Sequence, residues 1–107
     1  MFIATSLLFV PGSRPDRFAK AGASGADLTV IDLEDAVAQA DKQTARNAAL
    51  AHFADGASKG WGLRINAVDT AAGVRDLAAL LDAAALPEVL LVPMVDCILY
   101  TSDAADE

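Results

Sequence analysis

The sequence contains few of the residues on which several common functions depend. Its one cysteine, Cys97, cannot form a disulfide within the chain, which fits an intracellular compartment. Its one histidine, His52, falls near the end of a predicted helix, where we expect a structural or surface role and not a catalytic one. Lys and Arg number 8 against 15 Asp and Glu, and no basic patch could neutralise a row of phosphates. Nucleic acid is therefore not an expected partner.

Long hydrophobic runs are also missing, although 54% of the residues are hydrophobic. No run approaches the roughly 18 residues needed to cross a bilayer, so a membrane is not an expected partner either. The first residues, MFIATSLLFV, lack the basic start and the cleavage site of a signal peptide, and Pro11 and Gly12 end this run as a turn would. We predict a cytoplasmic protein whose first strand covers Ser6–Val10.

The clearest functional signal is the stretch 28–37, which reads LTVIDLEDAV. An apolar strand runs directly into three acids, Asp32, Glu34 and Asp35. Crowded carboxylates repel each other and lose hydration, so they persist where a metal ion or a basic side chain lies among them, or where one takes a proton. A strand that ends near Leu33 would let Glu34 and Asp35 turn together into a pocket.

The helix that follows this stretch is predicted from Asp41, as its cap, to about Ala54. Lys42 and Arg46 form an i, i+4 pair near its start, where the helix dipole disfavours positive charge. Because a neighbouring acid would offset this, we predict that Lys42 or Arg46 folds back onto the acidic stretch. An alternative interpretation is that the acids belong to an ordinary loop, with Asp35 or Asp41 capping the helix.

A cluster of basic residues follows the first strand. The segment SRPDRFAKAGASG places Pro15 at the first position of a short helix that carries Arg14, Arg17 and Lys20. Beside a Pro-Gly turn at the end of a strand, these side chains could hold a phosphate or a carboxylate. The alternative is an ordinary solvated helix face.

The third predicted strand, Trp61–Ala67, carries an arginine within an apolar sequence. A buried guanidinium needs acceptors in a matching plane, so we predict that Arg64 points at the acids that follow the second strand. Asn66 lies two residues further on and adds an amide on the same side.

The last predicted helix runs over about Ala71–Ala84 and is capped by Asp69 or Thr70. Its apolar face is formed by Val74, Leu77, Ala78 and Leu81, with the acids elsewhere. The fourth predicted strand covers Glu88–Val95.

The resulting order is βαβαβαβ, with strands too apolar to face water on either side, which predicts an α/β fold with a parallel sheet. Two architectures remain open, a doubly wound sheet and a (β/α)₈ barrel. The candidate residues lie at the carboxyl ends of strands, where both architectures place their sites. No GxGxxG motif follows the first strand and no GxxxxGK[ST] occurs, so neither nucleotide fingerprint supports the open sheet.

Four segments together resemble the citrate lyase beta-subunit family of the HpcH/HpaI aldolase superfamily. They are SLLFVPGSRPDRFAKA, DLEDAV, Asp41-Lys42 with Arg46, and LRINAVDT, and the resemblance covers residues 5 to about 96. It implies the N-terminal half of a (β/α)₈ TIM barrel, with about four strands and three helices, since a complete barrel needs about 250 residues. It also implies Mg²⁺-dependent cleavage or formation of a carbon–carbon bond in a CoA thioester such as citryl-, malyl- or citramalyl-CoA.

The resemblance further implies roles for individual residues. Arg64 would bind the carboxylate and carbonyl end of the substrate, with Asn66 beside it. Glu34 and Asp35 would act in catalysis as outer-shell ligands around the metal, whose direct ligands are expected from later strands. The remaining assignments are Lys42 and Arg46 as charge-balancing residues, and Arg14, Arg17 and Lys20 as contacts of the CoA phosphates.

The C-terminal segment 97–107, CILYTSDAADE, resembles the in-frame translation of a transposon adapter used in sequencing libraries. We therefore expect the native segment to end near Asp96, with a genuine polar C-terminus as the alternative. We expect the isolated chain to be inactive and poorly soluble, and the full-length protein to be a homo-oligomer. Two other functions stay open: an aldolase of the same superfamily that acts on free hydroxy-keto acids, and a non-catalytic half-barrel that binds a partner through its open edge.

Overall fold

The computed structural model describes residues 6–93, in which strands and helices alternate as predicted. The strands are β1 (Leu7–Pro11), β2 (Leu28–Asp32), β3 (Trp61–Arg64) and β4 (Val89–Leu91), and the helices are α1 (Phe18–Gly22), α2 (Lys42–Ala54) and α3 (Ala71–Leu81). Short 3₁₀ turns over Pro15–Arg17 and Gln39–Asp41 lead into α1 and α2. The segment 97–107 and the end of the predicted fourth strand lie outside the described residues.

The four strands are parallel, and they lie side by side in chain order, β1-β2-β3-β4. In a doubly wound sheet the order reverses at a switch point, so its first four strands would not follow one another across the sheet. The sequential order therefore decides between the two architectures in favour of the winding found in a barrel.

The hydrophobic core lies between one face of the sheet and the helices. Ala45 and Ala49 on α2 are fully buried, and their small side chains let the helix approach the sheet closely. Alternation along the strands puts Phe9, Asp32 and Arg64 together on the opposite face of the sheet. Polar side chains at the carboxyl ends of β2 and β3 are thus brought to one rim.

Helix and strand ends differ from the prediction where polar groups intervene. β3 ends at Arg64 and not at Ala67. The N–H of Ile65 still donates to Leu91 on β4, but the backbone N–H of Asn66 donates to the side chain of Asp76 and not to a strand. Thr70 caps α3 as predicted, and its hydroxyl accepts from the N–H of Gly73 at 3.0 Å. Asp41 precedes α2, but its side chain makes no capping hydrogen bond.

The apolar face predicted for α3 is not the face that this helix buries. Val74 and Leu81 are 56% and 87% exposed, whereas Ala72, Gly73 and Asp76 are buried. The close approach of the α3 backbone to the preceding loop explains this orientation, because a Cβ at Gly73 would overlap the carbonyl oxygen of Ala67. The apolar side of α3 instead borders an open groove with Leu86 and Leu90. Within residues 6–93, no helix has the length and apolar character needed to span a membrane.

Candidate active site at the carboxyl rim of the sheet

The centre of the site is an ion pair between the last residues of β2 and β3. Asp32 and Arg64 are register partners on these strands. Arg64 Nε donates to Asp32 Oδ1 at 2.9 Å, and Arg64 Nη2 donates to Asp32 Oδ2 at 2.7 Å. The Asp32 side chain is 2% exposed, while that of Arg64 is 28% exposed. This two-point contact fixes the plane of the guanidinium and leaves part of it accessible.

Asp32 is also held by the backbone that follows it. Its two oxygens accept from the N–H groups of Glu34 at 2.9 Å and Ala36 at 3.2 Å. Burial by itself raises the pKa of Asp32, but the hydrogen bonds from Arg64 and from these two N–H groups outweigh burial, so the pKa is lowered. Asp32 is therefore an ionised, fully engaged carboxylate that orients Arg64.

The predicted convergence of Arg64 with the acids is confirmed in the geometry. Glu34 Oε1 lies 3.6 Å from Arg64 Nε, and the Glu34 side chain is 26% exposed. The hydrogen bond from Arg64 to Asp32 raises the pKa of Arg64, and the charges of Asp32, Glu34 and Asp35 add to this effect. Phe9 lies against the guanidinium, with 4.8 Å between Arg64 Cζ and the ring centroid. Arg64 is thus a permanent cation between an aromatic ring and three acids.

Lys42 folds back onto the acidic stretch, which confirms the prediction that either Lys42 or Arg46 does so. Its ammonium donates to the carbonyl oxygens of Leu33 and Glu34, both at 3.0 Å. The partners are backbone carbonyls and not carboxylates, so Lys42 shapes the turn after β2 and places its positive charge beside the acids. This contact explains how a cation is tolerated in the first turn of α2.

The charge-balancing role predicted for Arg46 is corrected by the structure. Arg46 Nε donates to Asp76 Oδ1 on α3 at 2.7 Å, and the two side chains are 6% and 1% exposed. Its other donors reach Gln43 Oε1 and the carbonyl of Ala72. Arg46 points towards α3 because its buried guanidinium needs a buried acceptor, and Asp76 on α3 supplies a carboxylate.

Asn66 lies beyond the end of β3, at the start of the loop that leads to α3. Its amide nitrogen donates to Asp76 Oδ2 at 2.7 Å, and the residue is 4% exposed. It also lines a pocket at the rim, together with Glu34 and Lys42. The predicted contact of Asn66 with substrate stays a prediction.

The three basic residues after β1 make different contacts. Arg14 makes a two-point ion pair with Asp16, at 3.1 and 2.9 Å, and both side chains are exposed. Arg17 and Lys20 line a groove along β1 and α1, beside Leu8 and Val10. Their predicted contact with CoA phosphates stays a prediction.

The oxygen donors of this rim suit Mg²⁺ only in part. Glu34 and Asp35 offer carboxylate oxygens, the ligand type that Mg²⁺ and its bound waters prefer. Asp32 has no free acceptor to offer, because Arg64 and two backbone N–H groups engage both oxygens. Within the described residues no group of three or more His, Cys, Asp and Glu side chains is arranged to hold a metal ion. Glu34 and Asp35 therefore fit a place around the waters of a metal.

His52 lies at the other end of α2, away from these acids. Its ring packs edge-on against Trp61, with centroids 4.2 Å apart, and against Phe18 at 5.1 Å. This position agrees with the structural or surface role predicted from the sequence.

Comparison with known proteins now decides the family. A family model described as HpcH/HpaI aldolase/citrate lyase matches residues 5–105. The chain belongs to this family. The family resemblance predicted from the sequence is thereby confirmed. The matched range extends into the segment 97–107, whose predicted origin in an adapter stays a prediction.

Relatives of the chain within the HpcH/HpaI family are named as lyases or lyase-like proteins. The chain is 40% identical over 102 residues to L-malyl-CoA/beta-methylmalyl-CoA lyase of Rhodobacter capsulatus, covering 91% of this chain and 32% of that protein. It is 51% identical over 73 residues to a citrate lyase subunit beta-like protein of Mycobacterium tuberculosis, covering 68% and 26%. The chain thus spans about a third or less of these relatives.

Solved structures of this family show the same fold. CitE of M. tuberculosis in complex with magnesium, acetoacetate and coenzyme A has a TM-score of 0.67 and 42% identity, over 86% of this chain and 33% of that chain. RipC of Yersinia pestis has a TM-score of 0.67 and 40% identity, over 86% and 35%. The four strands and three helices therefore correspond to part of a TIM-barrel-like α/β fold, as predicted.

Two features of the site were missed in the sequence. The apolar periodicity of α3 predicts Asp76 off its buried face, although the small residues Ala72 and Gly73 one turn earlier are a signal for close packing of that side. The sequence indicates Phe9 only as part of an apolar strand. That it lies on the same face of the sheet as Asp32 and Arg64 follows from the strand register, which the sequence does not show.

Proposed function

We propose that the protein to which this chain belongs is a Mg²⁺-dependent carbon–carbon lyase that acts on a 3-hydroxyacyl-CoA thioester, such as citryl-, malyl- or citramalyl-CoA. Membership in the HpcH/HpaI family and the names of the relatives support this proposal. The observation that carries it for this chain is Arg64, a guanidinium fixed by Asp32 at the carboxyl rim of the sheet. Sites of barrel enzymes lie at this rim.

Arg64 is suited to bind the carboxylate and carbonyl end of the substrate. Of the five N–H donors of a guanidinium, Asp32 takes one on Nε and one on Nη2, so three remain for a ligand. A planar donor pair matches a carboxylate or an α-keto acid. Because Asp32 already fixes the plane, the positive charge needs little reorganisation when negative charge develops on the substrate.

Glu34 and Asp35 supply the acceptors of the site. Glu34 lies within 3.6 Å of Arg64 and is partly exposed, so its free oxygen can receive hydrogen bonds from water or from a substrate hydroxyl. A bound Mg²⁺ would add Lewis-acid polarisation of a carbonyl oxygen. In the proposed role, Glu34 and Asp35 accept hydrogen bonds from the waters around that ion and hold them in place. Lys42 keeps the turn that carries both acids against the start of α2.

The CoA part of the substrate needs cations near the rim, and Arg14, Arg17 and Lys20 are the proposed candidates. Arg14 pairs with Asp16 at the surface, where a phosphate can exchange for the carboxylate at little cost. Arg17 and Lys20 are exposed beside β1. A homo-oligomeric, cytoplasmic full-length protein stays a prediction.

Keto acid release by the full-length protein tests the proposal. The protein is incubated with malyl-CoA, citramalyl-CoA or citryl-CoA, with Mg²⁺ or with EDTA, and the keto acid is trapped as its hydrazone. We expect Mg²⁺-dependent glyoxylate, pyruvate or oxaloacetate from one of these thioesters. Keto acid from free hydroxy-keto acids alone would replace the lyase by the aldolase alternative, and no product from either class would overturn a catalytic function.

A further inference from the structure

A buried polar network lies behind the site and is not used by the mechanism described above. Asp76 on α3 accepts from Arg46 Nε at 2.7 Å, from the backbone N–H of Asn66 at 2.8 Å and from the Asn66 amide at 2.7 Å. All three residues are at least nine-tenths buried. One carboxylate therefore joins α2, α3 and the loop that follows β3.

This network anchors the loop between Asn66 and Thr70. Both Asn66 donors end on the same Asp76 oxygen, so the first residue of the loop is held through its backbone and its side chain. At the other end, Thr70 donates from its backbone N–H and from its hydroxyl to the carbonyl of Ala67. The close approach of Gly73 to the Ala67 carbonyl fixes the middle of the loop against α3. The position of the loop thus depends on the position of Asp76.

The anchored loop forms one wall of the pocket at the rim that Asn66 lines with Glu34 and Lys42. Asn66, Ala67 and Thr70 line this pocket from one side, and Glu34 and Lys42 line it from the other. Arg46 connects the two sides, because it extends from α2, the helix that begins with Lys42, to Asp76 and to the Ala72 carbonyl. The spacing between the walls is therefore set by the buried pair.

We propose that Arg46 and Asp76 are positioning residues, which hold the loop after β3 at the distance from Glu34 and Lys42 that ligand binding requires. This inference rests on the proposed lyase function for the nature of the ligand. Stability alone is a weak reason for such a pair, since apolar residues of similar volume can replace a buried ion pair with little loss of stability. A need to hold the loop in one position explains the charged pair better, because Asp76 accepts three hydrogen bonds and their directions fix that position.

The test uses the full-length protein with the double substitution Arg46→Met and Asp76→Leu, which removes both charges and keeps the volume filled. The matched control is Gln43→Ala, which removes another partner of Arg46, at Nη1, and leaves the loop anchor intact. Two readouts are taken: kcat and KM for the CoA thioester, and hydrogen exchange of the backbone amides of residues 66–70 compared with those of α2. We expect a lower thermal midpoint, because Asp76→Leu leaves the backbone N–H and the side-chain amide of Asn66 without their acceptor. We also expect at least a tenfold lower kcat/KM that arises mainly from KM, and faster exchange confined to the loop.

Wild-type KM and unchanged loop exchange in the double variant would overturn the proposal. If the double variant does not fold, Arg46→Gln with Asp76→Asn keeps polar side chains of similar size and is judged by the same two readouts. If the wild type cleaves none of the thioesters, the proposed function fails, and the exchange measurement then decides the positioning role alone. Loop exchange as slow as in the wild type would contradict that role.

Discussion

Asp32 and Arg64 lie opposite each other on neighbouring parallel strands and form a two-point ion pair with distances of 2.9 and 2.7 Å. Arg14 and Asp16 form a pair of the same type at the surface. The two pairs differ in burial, since the Asp32 side chain is 2% exposed and that of Asp16 is 62% exposed. This difference gives the buried pair a measurable contribution to stability and provides a matched control within the same chain.

The first prediction is that Asp32→Asn lowers the free energy of unfolding of the full-length protein by about 2 to 3 kcal/mol at pH 7, because an amide cannot accept all four hydrogen bonds. The pKa of Asp32 is lowered in the folded state. Its contribution is therefore present above the unfolded value, about 3.9, and is lost as the pH falls through the folded pKa. Urea unfolding at pH 7 and pH 3 should show the gap between wild type and variant narrowing in acid. Asp16→Asn should change little, and an equal effect of both substitutions would contradict the account.

The second prediction concerns His52. Burial lowers the pKa of His52, partly offset by the charge of Asp55, and Nε2 is buried without a hydrogen-bond partner in the described part of the chain. Since the folded pKa lies below the unfolded value of about 6.5, stability is complete above that pH and declines as the pH falls through the folded pKa. His52→Leu should remove this part of the acid sensitivity. Thermal midpoints of wild type and variant at pH 7.5 and pH 5 check this, and parallel losses in both proteins would refute it.

The third prediction concerns the apolar side of α3. Leu81 is 87% exposed in this chain, and it borders a groove with Leu86 and Leu90. If the rest of the longer protein packs on this side, Leu81→Asp should cost the full-length protein about 2 kcal/mol or more, because an aspartate would replace a buried leucine. In the 107-residue chain the same change should raise the soluble yield. The free energy of unfolding of the full-length protein and the soluble yield of the 107-residue chain are measured for wild type and variant. Val74→Asp serves as a second probe of the same side of α3. Unchanged full-length stability would show that this side stays open to solvent.

The two arginines of this region show how far the sequence predicts the site. The partner of Arg64 was predictable, because the carboxyl ends of neighbouring parallel strands meet at one edge of the sheet. The partner of Arg46 was not, because it lies on another helix, at Asp76, and no periodicity within α2 indicates which helix lies beside it.

The same limit applies to α3. Its apolar stripe of Val74, Leu77 and Leu81 predicts the wrong buried face for residues 6–93, since periodicity shows that a face is apolar but not which neighbour covers it. Gly73 determines the outcome, because only the side without a Cβ can approach the Ala67 carbonyl. The α/β class and the strand positions were predictable from apolar runs and turn residues, whose signals are local.

The central claim is that Arg64, oriented by Asp32, binds the reacting end of the substrate. Steady-state kinetics of Arg64→Ala and Arg64→Lys in the full-length protein, with Mg²⁺ and the best CoA thioester, test it most directly. We predict that Arg64→Ala lowers kcat/KM by about a thousandfold while circular dichroism shows an intact fold, and that Arg64→Lys recovers only a small part, because an ammonium cannot reproduce the planar donor pair. Near-normal kinetics in a folded Arg64→Ala protein would contradict the account.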